Sequence, residues 1–348
     1  MKRIAQFVPL VLISGLVVVG AQTPSVKVLE RLDPALDALV APDAKLELLG
    51  EHFGFVEGPV WVQEGSDGYL LFSDIPANLI YKRTSSGQLS IFLENSGYTG
   101  KDILNAGAQS TSGRLHIVFV GSNGLSLDRE GRLIVAAQAD RSVVRLEKDG
   151  RRTILGDRYE GKRFNGPNDL TVKSNGAVYF TDTSAGLRNR EANPTRELLF
   201  YGFYLIKNGQ TVLLDKDLAP GNPNGFPNGI TLSPDEKYLY VGAGGKILRY
   251  DVLPDDTVAN RRVLIDVSTD GMKVDSLGNI YSTTEGAVWI SSPEGKHLGT
   301  IVLPPVLGGT STNVGFGDAD SKGLYITARS RLYKIRLKVP GVRPGPQS

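Results

Sequence analysis

The sequence predicts an all-β fold, a six-bladed β-propeller of four-stranded blades, and three observations carry that expectation. Short runs rich in Val, Ile, Leu, Tyr and Phe follow one another, and no stretch reads as a long amphipathic helix. Turn signals separate the runs: Asp149-Gly150, Asn175-Gly176, Asn208-Gly209, Pro234-Asp235, Leu277-Gly278-Asn279 and Glu294-Gly295. The runs also repeat. Asn123-Gly-Leu-Ser-Leu-Asp, Asn168-Asp-Leu-Thr-Val-Lys, Asn228-Gly-Ile-Thr-Leu-Ser and Asp270-Gly-Met-Lys-Val-Asp each open a strand of period two, and fainter copies begin at Glu57 and Asn313.

The six starts lie 66, 45, 60, 42 and 43 residues apart. A repeat of about forty residues holding four strands is the signature of a propeller blade. The two long gaps hold insertions, 97–113 and 185–197, expected as loops over one mouth of the channel. The last unit, Gly323 to Lys338, lacks an outermost strand, which Lys45 to Gly50 is placed to supply.

Residues 1–21 read as a removable leader: Lys2 and Arg3, an apolar run from Phe7 to Val19, then the small-residue site Val19-Gly20-Ala21. The run is short for a membrane span, though an uncleaved anchor is the other reading. An exported protein, periplasmic or secreted, is expected. Residues 22–44 then form an extension, 45–338 the propeller, and 339–348 a loose tail.

A net charge of +2, near zero once Lys2 and Arg3 are removed, leaves no basic face for nucleic acid. The expected partner is a small-molecule substrate, with no membrane attachment after leader cleavage. The chain has no cysteine, which excludes disulfides, thiolate metal sites and Cys nucleophiles. No Gly-x-Ser-x-Gly elbow is present, and the runs Gly242 to Gly245 and Gly315 to Gly317 lack a strand-to-helix context for phosphate.

Innermost strands line a propeller's channel, so Glu57, Asn123, Asn168, Asn228, Asp270 and Asn313 converge on the axis as a ring. All are oxygen donors. Two carboxylates with amides suit calcium or magnesium better than zinc or manganese. His52, His116 and His297 are off the ring, which argues against a His-rich zinc site. A single Asn at such a point is most simply a turn cap. The set is not, because the register repeats and turn capping does not call for Glu57. The expected ligands are Glu57, Asn168, Asn228 and Asp270, with Asn123 a substrate contact or a support behind the ligands. Asp169, beside Asn168, either orients the ring, binds metal or is structural. Arg188, with Arg190, is placed to meet a polar or acidic ligand.

These residues resemble the regucalcin/gluconolactonase family over roughly Leu46 to Leu337. The likeness rests on Val56-Glu57-Gly58-Pro59-Val60-Trp61, Ser122-Asn123-Gly124-Leu125, Asn165-Gly-Pro-Asn168-Asp169-Leu170, Phe226-Pro227-Asn228-Gly229-Ile230, Asp270-Gly271-Met272-Lys273-Val274-Asp275 and the closing Leu324 to Tyr333. The resemblance implies a six-bladed propeller holding one divalent cation through Glu57, Asn168, Asn228 and Asp270. It implies that Asn168 can contact substrate instead, and that Asp270 is both ligand and catalytic base. There are departures. Bacterial relatives often carry Cys-Gln-His-Gly where this chain has Ala136-Ala137-Gln138-Ala139, and the approach Asp266 to Asp270 is short and lacks the usual Pro. The expected function is a metal-dependent hydrolase of the gluconolactonase type that opens a sugar or other small lactone. Two alternatives stay open: a phosphotriester or ester hydrolase using the same site, and a non-enzymatic binding propeller with a structural metal.

Overall fold

The computed structural model describes residues 28–112, 115–216, 218–219, 225–305 and 310–346. The expected leader at 1–21 lies outside them. Six four-stranded antiparallel units follow one another around an axis. Blade 1 runs Val56–Glu64, Asp67–Asp74, Leu79–Thr84 and Leu89–Glu94. Blade 2 runs Ser122–Leu127, Leu133–Ala137, Ser142–Leu146 and Arg152–Gly156. Blade 3 runs Pro167–Val172, Val178–Asp182, Gly202–Lys207 and Gln210–Lys216. Blade 4 runs Pro227–Leu232, Tyr238–Ala243, Lys246–Val252 and Val258–Ile265. Blade 5 runs Met272–Val274, Ile280–Thr284, Ala287–Ser291 and His297–Val302.

Blade 6 takes Asn313–Gly317, Gly323–Ala328 and Arg331–Arg336 from the end of the chain. Its outer strand is Leu46–Glu51, paired antiparallel with Leu46 opposite Ile335. The ring is thereby closed by hydrogen bonds between the two ends of the chain.

Both faces of the inner strands are buried, each against a neighbouring blade, because successive side chains point to opposite faces. In Leu133–Ala137, Leu133, Val135 and Ala137 pack toward blade 1, while Ile134 and Ala136 pack toward blade 3. Each of the six blade-to-blade seams holds its own apolar cluster. The last seam to close, between blades 6 and 1, stacks Trp61 on Tyr325 with ring centroids 5.8 Å apart.

Two terminal segments carry more structure than the sequence shows. In the N-terminal extension, Leu29–Arg31 adds a fifth strand to blade 5, and a 3₁₀ turn at Pro34–Ala38 drives Leu36 into the seam. Four buried apolar side chains, Leu29, Leu36, Leu39 and Val40, explain why this segment is packed and not trailing. Where the sequence suggests a loose tail, the described part, 339–346, is tied down. Pro340 O accepts from Ser276 N, and Gly341 N and Val342 N donate to Ser321 O and Val274 O.

Candidate functional site

Each ring residue stands at or just before the start of its innermost strand. In an antiparallel blade that end is shared by the connections between blades and by the turns joining second to third strands. The first insertion is such a connection and the second such a turn, so both rise from the ring face. At the ring, the pairing of the inner strand slips between Glu57 and Val60, between Pro167 and Leu170, and between Pro227 and Ile230. Bulges of this kind re-aim side chains, here toward the axis.

Neighbouring blades approach very closely behind the ring. A Cβ on Gly58 would stand 2.4 Å from Asn123 O, and one on Gly229 would stand 2.5 Å from Asp270 O. Gly58 also has φ +52°, so glycine is required there twice over. Gly124 and Gly271 fill the same slot behind Asn123 and Asp270. Behind Asn168 the slot holds Asp169.

Hydroxyl groups lock one blade to the next. Ser73 Oγ donates to Asn123 O at 2.8 Å, and Thr181 Oγ1 donates to Asn228 O at 2.8 Å. Carboxylates at the ends of second strands hold the turns leading into the ring. Asp74 accepts from Gly54 N and Phe55 N, and Asp182 accepts from Asn165 N at 2.9 Å and Gly166 N at 2.7 Å. The turn-signal reading did not single out these residues. Their signal was available as a hydroxyl-acid pair, Ser73-Asp74 and Thr181-Asp182, at equal places in two repeats.

Glu57 and Asn313 are buried and interact through their side chains, and Gly58 N donates to Glu57 Oε2 at 3.1 Å. Burial pushes the Glu57 carboxyl well above the usual range, and the nearby Asp270 and Asp169 charges push it further. Burial likewise raises Asp270 to about 7, against a hydrogen bond from Asn228. Asn168 is 8% exposed, and its side chain has no protein partner among the described residues. Asn123 Nδ2 donates to Gln138 Oε1 at 3.1 Å. Gln138 occupies the place where the resemblance implies a His, and its Nε2 donates to Phe119 O and Ala185 O. It thus ties a ring residue to both insertions.

Among the described residues no three His, Cys, Asp or Glu side chains gather at metal-ligand spacing. A cation here would draw on two carboxylates, Glu57 and Asp270, and on the amide oxygens of Asn168 and Asn228. A buried Glu57 whose carboxyl is raised further by Asp270 makes a site short of positive charge, and that donor set fits a hard divalent ion.

A cavity of about 340 Å³ opens on this face over blades 4, 5 and 6. Asn228 and Asp270 line it, with Ser268, Thr269, Thr283, Thr284, Thr310, Ser311 and Glu285. The short approach to Asp270 is closed by Thr269 Oγ1 donating to Gly271 O at 3.0 Å. Over blades 2 and 3 the mouth is covered instead. The first insertion forms a 3₁₀ turn at Ile103–Asn105 and a hairpin of Ala108–Ser112 with Leu115–Phe119. It meets the second through the bridge Ala106 to Leu187. Arg188 lies at this joint, its guanidinium donating to Asn105 Oδ1, and is not part of the described cavity wall. Arg190 is exposed, and His52, 88% exposed, stands beside Glu51.

Comparison with known proteins agrees with this architecture. The model of the SMP-30/Gluconolactonase/LRE-like region matches residues 55–330. A gluconolactonase of Zymomonas mobilis is 33% identical over 328 residues, covering 89% of this chain and 86% of that protein. A lactonohydrolase of Aspergillus oryzae is 26% identical over 223 residues, 55% of this chain and 49% of its own. Among solved structures, a gluconolactonase of Xanthomonas campestris superposes with a TM-score of 0.72 at 26% identity, covering 89% of this chain and 94% of that one. Regucalcin, a calcium-binding protein of Agrobacterium tumefaciens, shares the fold with a TM-score of 0.66 at 16% identity, covering 88% and 98%. With residues 55–330 matched by the family's model and a gluconolactonase 33% identical over most of both chains, the chain belongs to the SMP-30/gluconolactonase family of β-propellers.

Proposed function

We propose that the protein is a lactonase, a hydrolase that opens a sugar or other small lactone with one divalent cation, calcium, on the propeller axis. The observation that carries this reading is that Asn228 and Asp270 belong at once to the axial ring and to the wall of the cavity. A substrate in the cavity therefore meets the ring. The 33% identical gluconolactonase supports the reaction class. The polar wall, which includes Ser268, Thr310 and Glu285, suits a polyhydroxylated substrate. The leader-like segment at 1–21 supports export, to compartments where calcium is plentiful.

When bound, the cation would polarise the lactone carbonyl and stabilise the developing oxyanion. The protein's own groups supply orientation and proton transfer. Asp270 is fixed through its backbone, its O accepting from Gly229 N at 2.6 Å and its N donating to Thr283 O at 3.3 Å. Asn228 holds its carboxylate from the side. A neighbouring cation would lower the pKa of such a carboxyl and keep Asp270 ionised, able to take the proton of the attacking water. Asn168 has a free amide to orient substrate or ion.

The test is a pH-stat assay on a lactone panel with calcium, manganese or zinc restored after chelation. Asp270→Asn is expected to lower the rate by about a hundredfold or more while circular dichroism is unchanged. Wild-type rates in that variant would remove Asp270 as the base. Turnover of phosphotriesters without lactones would move the substrate class.

A further inference from the structure

One to three residues further along the inner strands, deeper in the channel than the ring, lies a charge pair that the proposed reaction does not use. Asp169 is 1% exposed, and its carboxylate reaches four blades. Oδ1 accepts from Leu170 N at 2.8 Å in blade 3 and stands 2.6 Å from where a Cβ on Gly124 of blade 2 would be. Oδ2 is 3.4 Å from Ile230 N in blade 4 and 3.6 Å from Lys273 Nζ in blade 5. A group in reach of four of the six blades sits at the axis. The Lys273 side chain is 17% exposed, and Asp169 is its one ion-pair partner among the described residues.

Asp169 is close enough to raise both Glu57 and Asp270. With all three ionised around a bound ion the carboxylates would carry −3, and Lys273, 3.6 Å from Asp169, brings the group to −2, the complement of one divalent ion. The exposed Arg329 guanidinium on the blade 6 turn also acts on Asp270, from the mouth side.

We propose that Lys273 is the internal counter-charge of the axial site: by pairing Asp169 beneath the ring it sets the charge the bound ion meets and lets the ion-free propeller keep Asp169 buried. The inference rests on the cation reading above. It makes Lys273 a positioning residue whose effect has a sign. Removing the ammonium leaves Asp169 unbalanced, so the ion binds more tightly and the ion-free protein is less stable. Neutralising Asp169 does the reverse to affinity. Removing both charges restores the balance.

Calorimetric titration of calcium chloride into chelator-treated protein, with thermal melts with and without calcium, tests this. Wild type is expected to bind one ion per chain. Lys273→Met should bind about tenfold more tightly and show a larger calcium-dependent rise in Tm. Asp169→Asn should bind about tenfold more weakly. The double variant should return to within about threefold of wild type. Unchanged affinity in Lys273→Met, or shifts of one sign in both single variants, overturns the role of Lys273. Absence of ion binding by wild type overturns the cation reading with it. Should Lys273→Met not fold, the Asp169→Asn and double variants decide, because the predicted return between them has no other source.

Discussion

Asp182 is fully buried, and its two oxygens accept from the backbone that leads into Asn168. Burial raises its carboxyl to about 6, against those two hydrogen bonds. It therefore stays protonated in the fold up to about pH 6, whereas in the unfolded chain it ionises near the ordinary aspartate value of 3.8. The resulting stabilisation is complete below that lower value and is lost as pH rises through 6, by about 3 kcal/mol. Urea unfolding of wild type and Asp182→Asn should show the wild-type advantage shrinking between pH 4 and 7. An advantage that is flat with pH would mean that Asp182 has ordinary acidity. Thr181, its neighbour, has a different task. Thr181→Val leaves Asn228 O without its donor, at a cost of about 1–3 kcal/mol. It should also lower kcat/KM for lactones by about tenfold, since Asn228 moves with its backbone.

The ring positions were legible because a polar residue before a period-two strand recurs in one register. The Asp169 to Lys273 pair was not, because no local pattern says which side chains meet across four blades. Arg188 was singled out for its charge in a loop, and only the fold shows that charge turned toward Asn105.

Among the elements, the inner three strands of each blade were legible from alternation and turn pairs. Closure by Leu46–Glu51 was foreseen because the last unit was one strand short. The fifth strand of blade 5 escaped because three residues, Leu29–Arg31, are too few to show a period. These two N-terminal strands should differ in consequence. A chain beginning at Lys45 loses Leu29 and Leu36 but keeps its closure, and should melt lower while still folding. A chain beginning at Phe53 loses the closing strand, exposes the edge of Arg331–Arg336, and should be insoluble. Leu36→Ala in the full chain should cost about 2–5 kcal/mol, read from denaturant midpoints.

For the molecule as a whole, the cation reading joins stability to activity. Chelation should abolish lactone hydrolysis and lower Tm together, with both restored by calcium at one concentration. A large fall in Tm in a protein that shows no hydrolysis under any ion would indicate a binding propeller with a structural metal. Among the described residues the mouth is covered over blades 2 and 3, and under the proposed function Glu285 in the cavity wall is expected to favour neutral over anionic lactones.

The pairing of Leu46 with Ile335 also sets an order in time. During synthesis blade 1 is complete long before its neighbour in blade 6 exists. Val56, Trp61, Leu70 and Phe72 must wait without the Tyr325 and Leu332 side chains that cover them in the finished ring. A half-made chain therefore presents a sticky apolar edge that only its last residues can cover, and it depends on a chaperone or on speed. Closing a loop between the two ends is also the slowest kind of contact to find. Trp61 lies in that seam, so in a Trp289→Phe background its fluorescence becomes a clock for the final step.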